Sequence, residues 1–251
     1  MMTYDYKKGK ERVEEILDNE ITITDSNIPT DERFTFKNGY YSWVTAIFVD
    51  VRDSSKLFSK KGLENKKKTA KLIRAFTSEI IEILRETENF KEIGIRGDCV
   101  YAIYNTPDQS DVLDCAIKTI CVNTYLKMLN KVLHGRGEEA FKAGIGMSTA
   151  QELVIKAGRF HTNTNSKVWI GESVTRASNL SSLGEKEFDD RLVFSKASYI
   201  NFIEGLKKRN ADTSSQEVEG WFTEFKDEDE NICYHANVIN KKFNDWIEYE
   251  M

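Results

Sequence analysis

Two aspartates carry the most chemistry in this sequence. Asp50 lies in Phe48-Val49-Asp50-Val51, where strand alternation puts Ala46, Phe48 and Asp50 on one face. A carboxylate ending an otherwise apolar strand is costly unless it is solvated, paired or bound to a cation. Asp98 follows Gly97 between two short apolar runs, which predicts the tip of a hairpin. If the first strand and that hairpin lie side by side, the two carboxylates meet at one edge of the sheet. They repel unless a divalent cation binds them, and hard oxygen ligands with open water positions suit Mg²⁺ or Mn²⁺. Beyond Asp50, the segment Arg52 to Ser55 leaves the strand. Ser54 or Ser55 can cap a short helix whose exposed N–H groups would cradle a triphosphate. The competing reading is a strand ending in a capped helix with a surface Asp.

The elements around these residues alternate. A charged helix is expected over 4–19, then a polar linker or arm over 20–40. Residues 43–51 read as a strand and 64–89 as a long helix with Leu72, Phe76, Ile80, Ile83 and Leu84 on one side. Residues 91–96 and 99–105 form the hairpin, and 110–132 a second long helix. Strands are expected at 141–147 and 153–157. The resulting order is α+β, a ferredoxin-like βαββαβ core with extra C-terminal strands and helices. Those extras are a short strand at 168–170, a helix over 172–183, a strand at 192–194, a helix over 196–205 and a closing hairpin from 221 to 238. The expected organisation is an N-terminal helix and arm (1–40), a catalytic domain (41–240) and a tail (241–251). The charge run Lys226 to Glu230 reads as an exposed turn.

Composition narrows the class. The chain has 251 residues, 40% hydrophobic, enough for a substantial core. No run approaches the roughly 18 apolar residues of a membrane helix. The first twenty residues carry no apolar stretch, so a secretory leader is not expected. The net charge of -5 argues against a dedicated nucleic-acid binder. Cys99, Cys115, Cys121 and Cys233 form no C-x-x-C pair and sit at no metal-ligand spacing to a His; they read as buried free thiols in a cytoplasmic protein.

Taken together, the motifs resemble the class III nucleotide cyclase catalytic domain. They are Phe48 to Val51 with a small polar helix start, Gly97-Asp98 in a hairpin, Gly144 to Met147, and Gly171 to Leu180, in that order. The resemblance covers about residues 42–240. It implies that Asp50, Asp98 and the carbonyl of Val51 hold two Mn²⁺ or Mg²⁺ ions. One ion would acidify a ribose 3′-hydroxyl and the other would bind the triphosphate, giving a 3′,5′-cyclic nucleotide and pyrophosphate. It also implies a homodimer with sites at the interface, metal ligands from one chain and transition-state donors from the other.

The sequence departs from the family pattern in two places. Purine cyclases of the family read the base with Lys or Glu three residues before the Gly-Asp pair, and adenylate cyclases use an Asp three residues before the second motif. Gly94 and Val168 stand there instead. Arg96 shares strand parity with Gly94 and Asp98, and is a candidate to reach a base or a phosphate. A guanidinium, with donors only, satisfies a uracil carbonyl but not the exocyclic amine of cytosine, which favours UTP. Alternatively Arg96 pairs with Asp53 or Asp98. Trp43, Phe48 and Phe160 are candidates for narrowing a base pocket, against plain core packing. In the second motif the usual Asn is Thr175 and the usual Arg is Asn179, so Asn179 or the adjacent Arg176 is the candidate transition-state donor.

Such a chain resembles the stand-alone pyrimidine cyclases of bacterial anti-phage (Pycsar) defence. This implies a uridylate cyclase whose cyclic UMP acts on a separate cyclic-nucleotide-responsive effector, with no nucleic-acid or membrane partner. Two other readings stay open: an adenylate cyclase with a rearranged base pocket, and a degenerate nucleotide-binding domain. The net charge of -5 and the absence of an aromatic pair on the central strands argue against an RNA-binding module, and no template-holding domains of a polymerase palm fit in this length.

Overall fold

The computed structural model describes residues 4–54, 65–159, 164–209 and 215–251, with no side chain described at 215–216. Ser55 and Phe160 lie outside the described residues. The elements are α1 (Tyr6–Asp18), β1 (Thr22–Asp25), β2 (Asn38–Val51), α2 (Lys66–Arg85), β3 (Phe90–Arg96), β4 (Cys99–Asn105), α3 (Gln109–His134), β5 (Ala143–Gly158), β6 (Asn165–Gly171), α4 (Glu172–Ser181), β7 (Leu192–Ser195), α5 (Lys196–Arg209), α6 (Ser215–Glu219), β8 (Thr223–Lys226), β9 (Ile232–Ala236) and α7 (Lys241–Tyr249). The strand order is β3-β4-β2-β5-β7-β9-β8, with β1 on β2 and β6 on β5. The first four of these strands, β3-β4-β2-β5, have the expected βαββαβ arrangement, with β2 antiparallel to β4 and β4 antiparallel to β3.

Two compact units are resolved, Met1–Ser42 with Leu153–Ile170, and Trp43–Glu152 with Gly171–Met251. In the first, β1 runs parallel to the start of β2, with Ile23 opposite Gly39. Helix α1 leaves Val13, Ile16 and Leu17 exposed, so its apolar stripe is not part of a core.

The second unit holds the core. Ile47, Val49 and Val51 of β2 join Val100, Ala102 and Tyr104 of β4 and Ala143, Ile145 and Met147 of β5. Phe76, Ile80 and Leu84 of α2 cover them, with the apolar residues of α3 and Phe202 and Ile203 of α5. Burying one such side chain stabilises by about 1.5–3 kcal/mol. Helix α4 lies on the other face of the sheet. A β-carbon on Gly144 would sit 2.1 Å from the Ser181 carbonyl oxygen, and one on Gly146 2.1 Å from that of Ala177. Only glycine lets the helix backbone rest directly on β5 there.

The strands expected separately at 141–147 and 153–157 are one strand, β5. The polar run Ser148 to Glu152 reads as a break, yet Ser148, Thr149 and Glu152 are buried. The Thr149 hydroxyl bonds those of Thr45 and Ser198, each at 2.9 Å, so polarity is satisfied inside the sheet. The C-terminal tail contains α7, whose Ile247 is buried. Among the described residues no helix is long and apolar enough to cross a membrane.

Candidate active site

The register of the sheet puts the two aspartates at one end. Asp50 pairs with Cys99 across β2 and β4, and Cys99 pairs with Arg96 across β4 and β3. Directly opposed residues share a face, so Asp50, Cys99 and Arg96 form one row. Gly97 opens the turn at φ +64°, and Asp98 follows it. A glycine at the first central position suits a two-residue hairpin turn of the II′ kind. This places Asp98 beside Cys99, within electrostatic reach of Asp50. Burial raises the Asp50 carboxyl above its usual range; Arg52 opposes this and Asp98 adds to it. The side chain of Val51 is in the core.

These groups fit a divalent cation. Two oxygen-bearing side chains and a carbonyl leave positions for water and phosphate oxygens. Among the described residues no group of three or more His, Cys, Asp or Glu side chains forms a self-sufficient metal cage. Burial, then Asp50, pushes the Cys99 thiol up to about 12. Cys99 and Cys121 are only partly buried, unlike Cys115 and Cys233, which corrects the expectation of four buried thiols.

Arg52 turns back from the loop. Its Nη2 donates to Asp50 Oδ2 at 2.9 Å and to the Ser181 carbonyl at 2.5 Å, and Nη1 to the Ser182 carbonyl at 2.8 Å. The guanidinium therefore ties Asp50 to the C-terminal end of α4. Ser54 follows Asp53, which has φ +55°, a conformation an Asp tolerates better than most residues.

The next row on the same face is Phe48, Tyr101 and Gly94. The rings of Phe48 and Tyr101 stack at 5.4 Å, an aromatic pair on the central strands that corrects the expectation of none. A β-carbon on Gly94 would sit 2.6 Å from the Tyr101 ring, so Tyr101 fills the space that a side chain at position 94 would need. The Tyr101 hydroxyl donates to Glu92 Oε1 at 2.9 Å. Sequence reasoning missed Tyr101; the signal was its register opposite both Phe48 and Gly94. Arg96, one row away, is exposed and makes no ion pair or hydrogen bond among the described residues, so it is not paired with Asp53 or Asp98. Trp43 lies on the opposite sheet face, 45% exposed, and lines a cleft of about 430 Å³ with Gln151, Glu172, Arg176 and Lys196.

Helix α4 separates the two donor candidates. Thr175 and Asn179, one turn apart, are exposed. Arg176 points to the β8–β9 hairpin, with Nη2 3.4 Å from both Asp227 Oδ2 and Cys233 Sγ. Asp227 also accepts from the backbone N–H of Asn231 at 2.8 Å and of Asp229 at 3.1 Å. Burial raises this carboxyl, but the Asn231 bonds and Arg176 outweigh it and hold it below the usual range. The expected solvated charge run thus contains a part-buried anchor.

No protein-family model matches the chain. A uridylate cyclase of Treponema porcinum is 45% identical over 98% of this chain and 82% of that protein. The chain belongs to the uridylate cyclase family. A second member, a uridylate cyclase of Gulbenkiania mobilis, is 28% identical over 98% of this chain and 96% of its own length. The fold of this uridylate cyclase family member is that of class III cyclase catalytic domains, as expected. The guanylyl cyclase Cya2 superposes with a TM-score of 0.60 at 14% identity, over 82% of this chain and 97% of that one. The adenylyl cyclase CyaB from P. aeruginosa gives 0.59 at 16% identity, over 81% and 97%.

Proposed function

We propose that the chain converts UTP to 3′,5′-cyclic UMP and pyrophosphate. The observation that carries this reading is the pair of rows on the open sheet face, Asp50-Cys99-Arg96 beside Phe48-Tyr101-Gly94, in a chain so similar to a uridylate cyclase. The first row supplies the carboxylate end and an uncommitted guanidinium. In the second, Tyr101 fills the space that a side chain at position 94 would need, which narrows the base side. The 3′-oxygen attacks the α-phosphorus as the bond to the bridging oxygen breaks, pyrophosphate leaves, and the hydroxyl proton passes to solvent. Mg²⁺ or Mn²⁺, two per site, held by Asp50, Asp98 and the Val51 carbonyl, supplies charge neutralisation and acidifies the 3′-hydroxyl when bound. Arg96 donates to a uracil carbonyl, and Phe48 bounds the base. The segment of Arg52 and Ser54 faces the triphosphate, with Arg52 acting through Asp50 rather than as a free phosphate ligand.

The enzyme acts as a homodimer, in which the exposed face of α4, with Thr175 and Asn179, serves the partner's metal site. The exposed apolar stripe of α1 supports a brace between the two copies. Cyclic UMP is then an anti-phage signal read by a separate effector protein in the cytoplasm. The decisive experiment is product identification from an equimolar mixture of ATP, GTP, CTP and UTP with Mn²⁺. Cyclic UMP is expected as the main product. Cyclic AMP alone would establish an adenylate cyclase with a rearranged pocket. A second reading, nucleotide binding without turnover, is favoured only by Asn179 standing where the family has Arg. It predicts calorimetric binding of UTP with no product.

A further inference from the structure

Glu152 is fully buried, yet no function discussed so far uses it. Its Oε1 accepts two hydrogen bonds from one residue, the backbone N–H of Ser173 at 2.5 Å and the Ser173 hydroxyl at 2.6 Å. Ser173 is the second residue of α4. Its other oxygen, Oε2, is buried with no partner among the described residues. A buried carboxylate with an idle oxygen is an expensive way to fill a core, so its retention calls for a specific contact. The neighbouring backbone is fitted to it: a β-carbon on Gly171 would lie 2.7 Å from Oε2.

The opposite end of the same helix carries the opposite charge. Arg52 donates to the carbonyls of Ser181 and Ser182. A helix favours an anion at its N-terminus and a cation at its C-terminus. Helix α4 is therefore held at its start by an acceptor carboxyl and at its end by a guanidinium, and between them its backbone rests on Gly144 and Gly146. We propose that Glu152 is a positioning residue for the reaction, fixing the first turn of α4 so that Thr175 and Asn179 present their donors at a set place. This rests on the cyclase reading above, in which that face of α4 meets the transition state.

The test compares Glu152→Ala with Glu152→Gln, using UTP turnover and site-resolved amide exchange. In Glu152→Ala, kcat is expected to fall about 10- to 100-fold with KM changed less than about threefold, because a misplaced donor costs rate rather than substrate affinity. Glu152→Gln keeps a carbonyl that accepts from Ser173 and should recover most of the loss. The Ser173 amide should exchange faster in Glu152→Ala, while amides of α2 keep their protection. Should Glu152→Ala fail to fold, Gly171→Ala decides, since it displaces the carboxylate while leaving it present; it should show the same kcat loss. Normal kcat in a folded Glu152→Ala, a loss confined to KM, or no recovery by Gln overturns the proposal. A wild-type protein without turnover of UTP instead overturns the cyclase reading, and the exchange measurement still reports whether Glu152 holds the helix.

Discussion

Asp50 and Glu152 are both carboxylates removed from bulk water, and their surroundings assign them opposite work. Asp50 stands at a sheet edge with a second carboxylate nearby, and burial and Asp98 together raise its pKa. Arg52 Nη2, 2.9 Å away, opposes this rise without cancelling it. Glu152 sits deeper, with no exposed surface, and is given donors by the start of a helix. The first carboxylate has one guanidinium against it and a second carboxylate nearby, while the second has one oxygen held by Ser173 and the other without a partner among the described residues. Depth alone therefore does not identify a reactive carboxylate; what matters is which groups the fold sets around it.

That contrast can be broken most sharply at the metal end. Asp50→Ala and Asp98→Ala are each expected to cut kcat/KM about a thousandfold or more, because metal stabilisation of the transition state is worth several kcal/mol. Chromatography of cyclic UMP reads this, and normal circular dichroism shows that folding is intact. Equal, modest losses in these variants and in Glu152→Ala would erase the distinction. Asn179→Ala, which removes a donor rather than a cation site, should cost about 10²-fold in kcat. Arg52→Ala takes a different toll. It strips Asp50 of its partner and uncaps two carbonyls, and should lower unfolding free energy by about 2–4 kcal/mol in urea titrations.

Smaller effects sharpen the comparison. Arg96→Ala should reduce preference for UTP over CTP by about tenfold, the worth of one hydrogen bond to the base, seen in competition between the two substrates. The pH dependence of Asp50 has a defined sign. Its folded pKa lies above the unfolded value, so the ionised group weakens the metal-free fold. The penalty is absent below the unfolded carboxylate range and is complete once pH passes the raised pKa. Asp50→Asn should therefore melt higher than wild type at neutral pH without metal, with the gap closing in acid. Added Mn²⁺ should raise the melting point of wild type only.

Much of the scaffold was legible from pattern. Alternation in β2, the Gly97-Asp98 turn and the long apolar stripes of α2 and α3 are local signals, and they suffice to bring Asp50 and Asp98 to one edge. The Phe48–Tyr101 stack was hidden because it depends on cross-strand register, which no single strand encodes. The direction of Arg52 depends on carbonyls some 130 residues later in the chain. Glu152 was passed over because Ser148 to Glu152 looks like a polar break; its partner, Ser173, lies in a helix further along the chain. Asp227 was likewise masked by the charges around it.

The glycines under α4 have one more consequence. An ordinary contact between a β-carbon and a carbonyl oxygen is no closer than about 3.0 Å, against the 2.1 Å left at Gly146. A methyl group there is thus a shim of known thickness. Either the helix backbone near Ala177 and Ser181 or β5 must give way, and Thr175 and Asn179 ride on the same helix. The Gly146→Ala variant would convert a question about catalytic tolerance into a measurement of length.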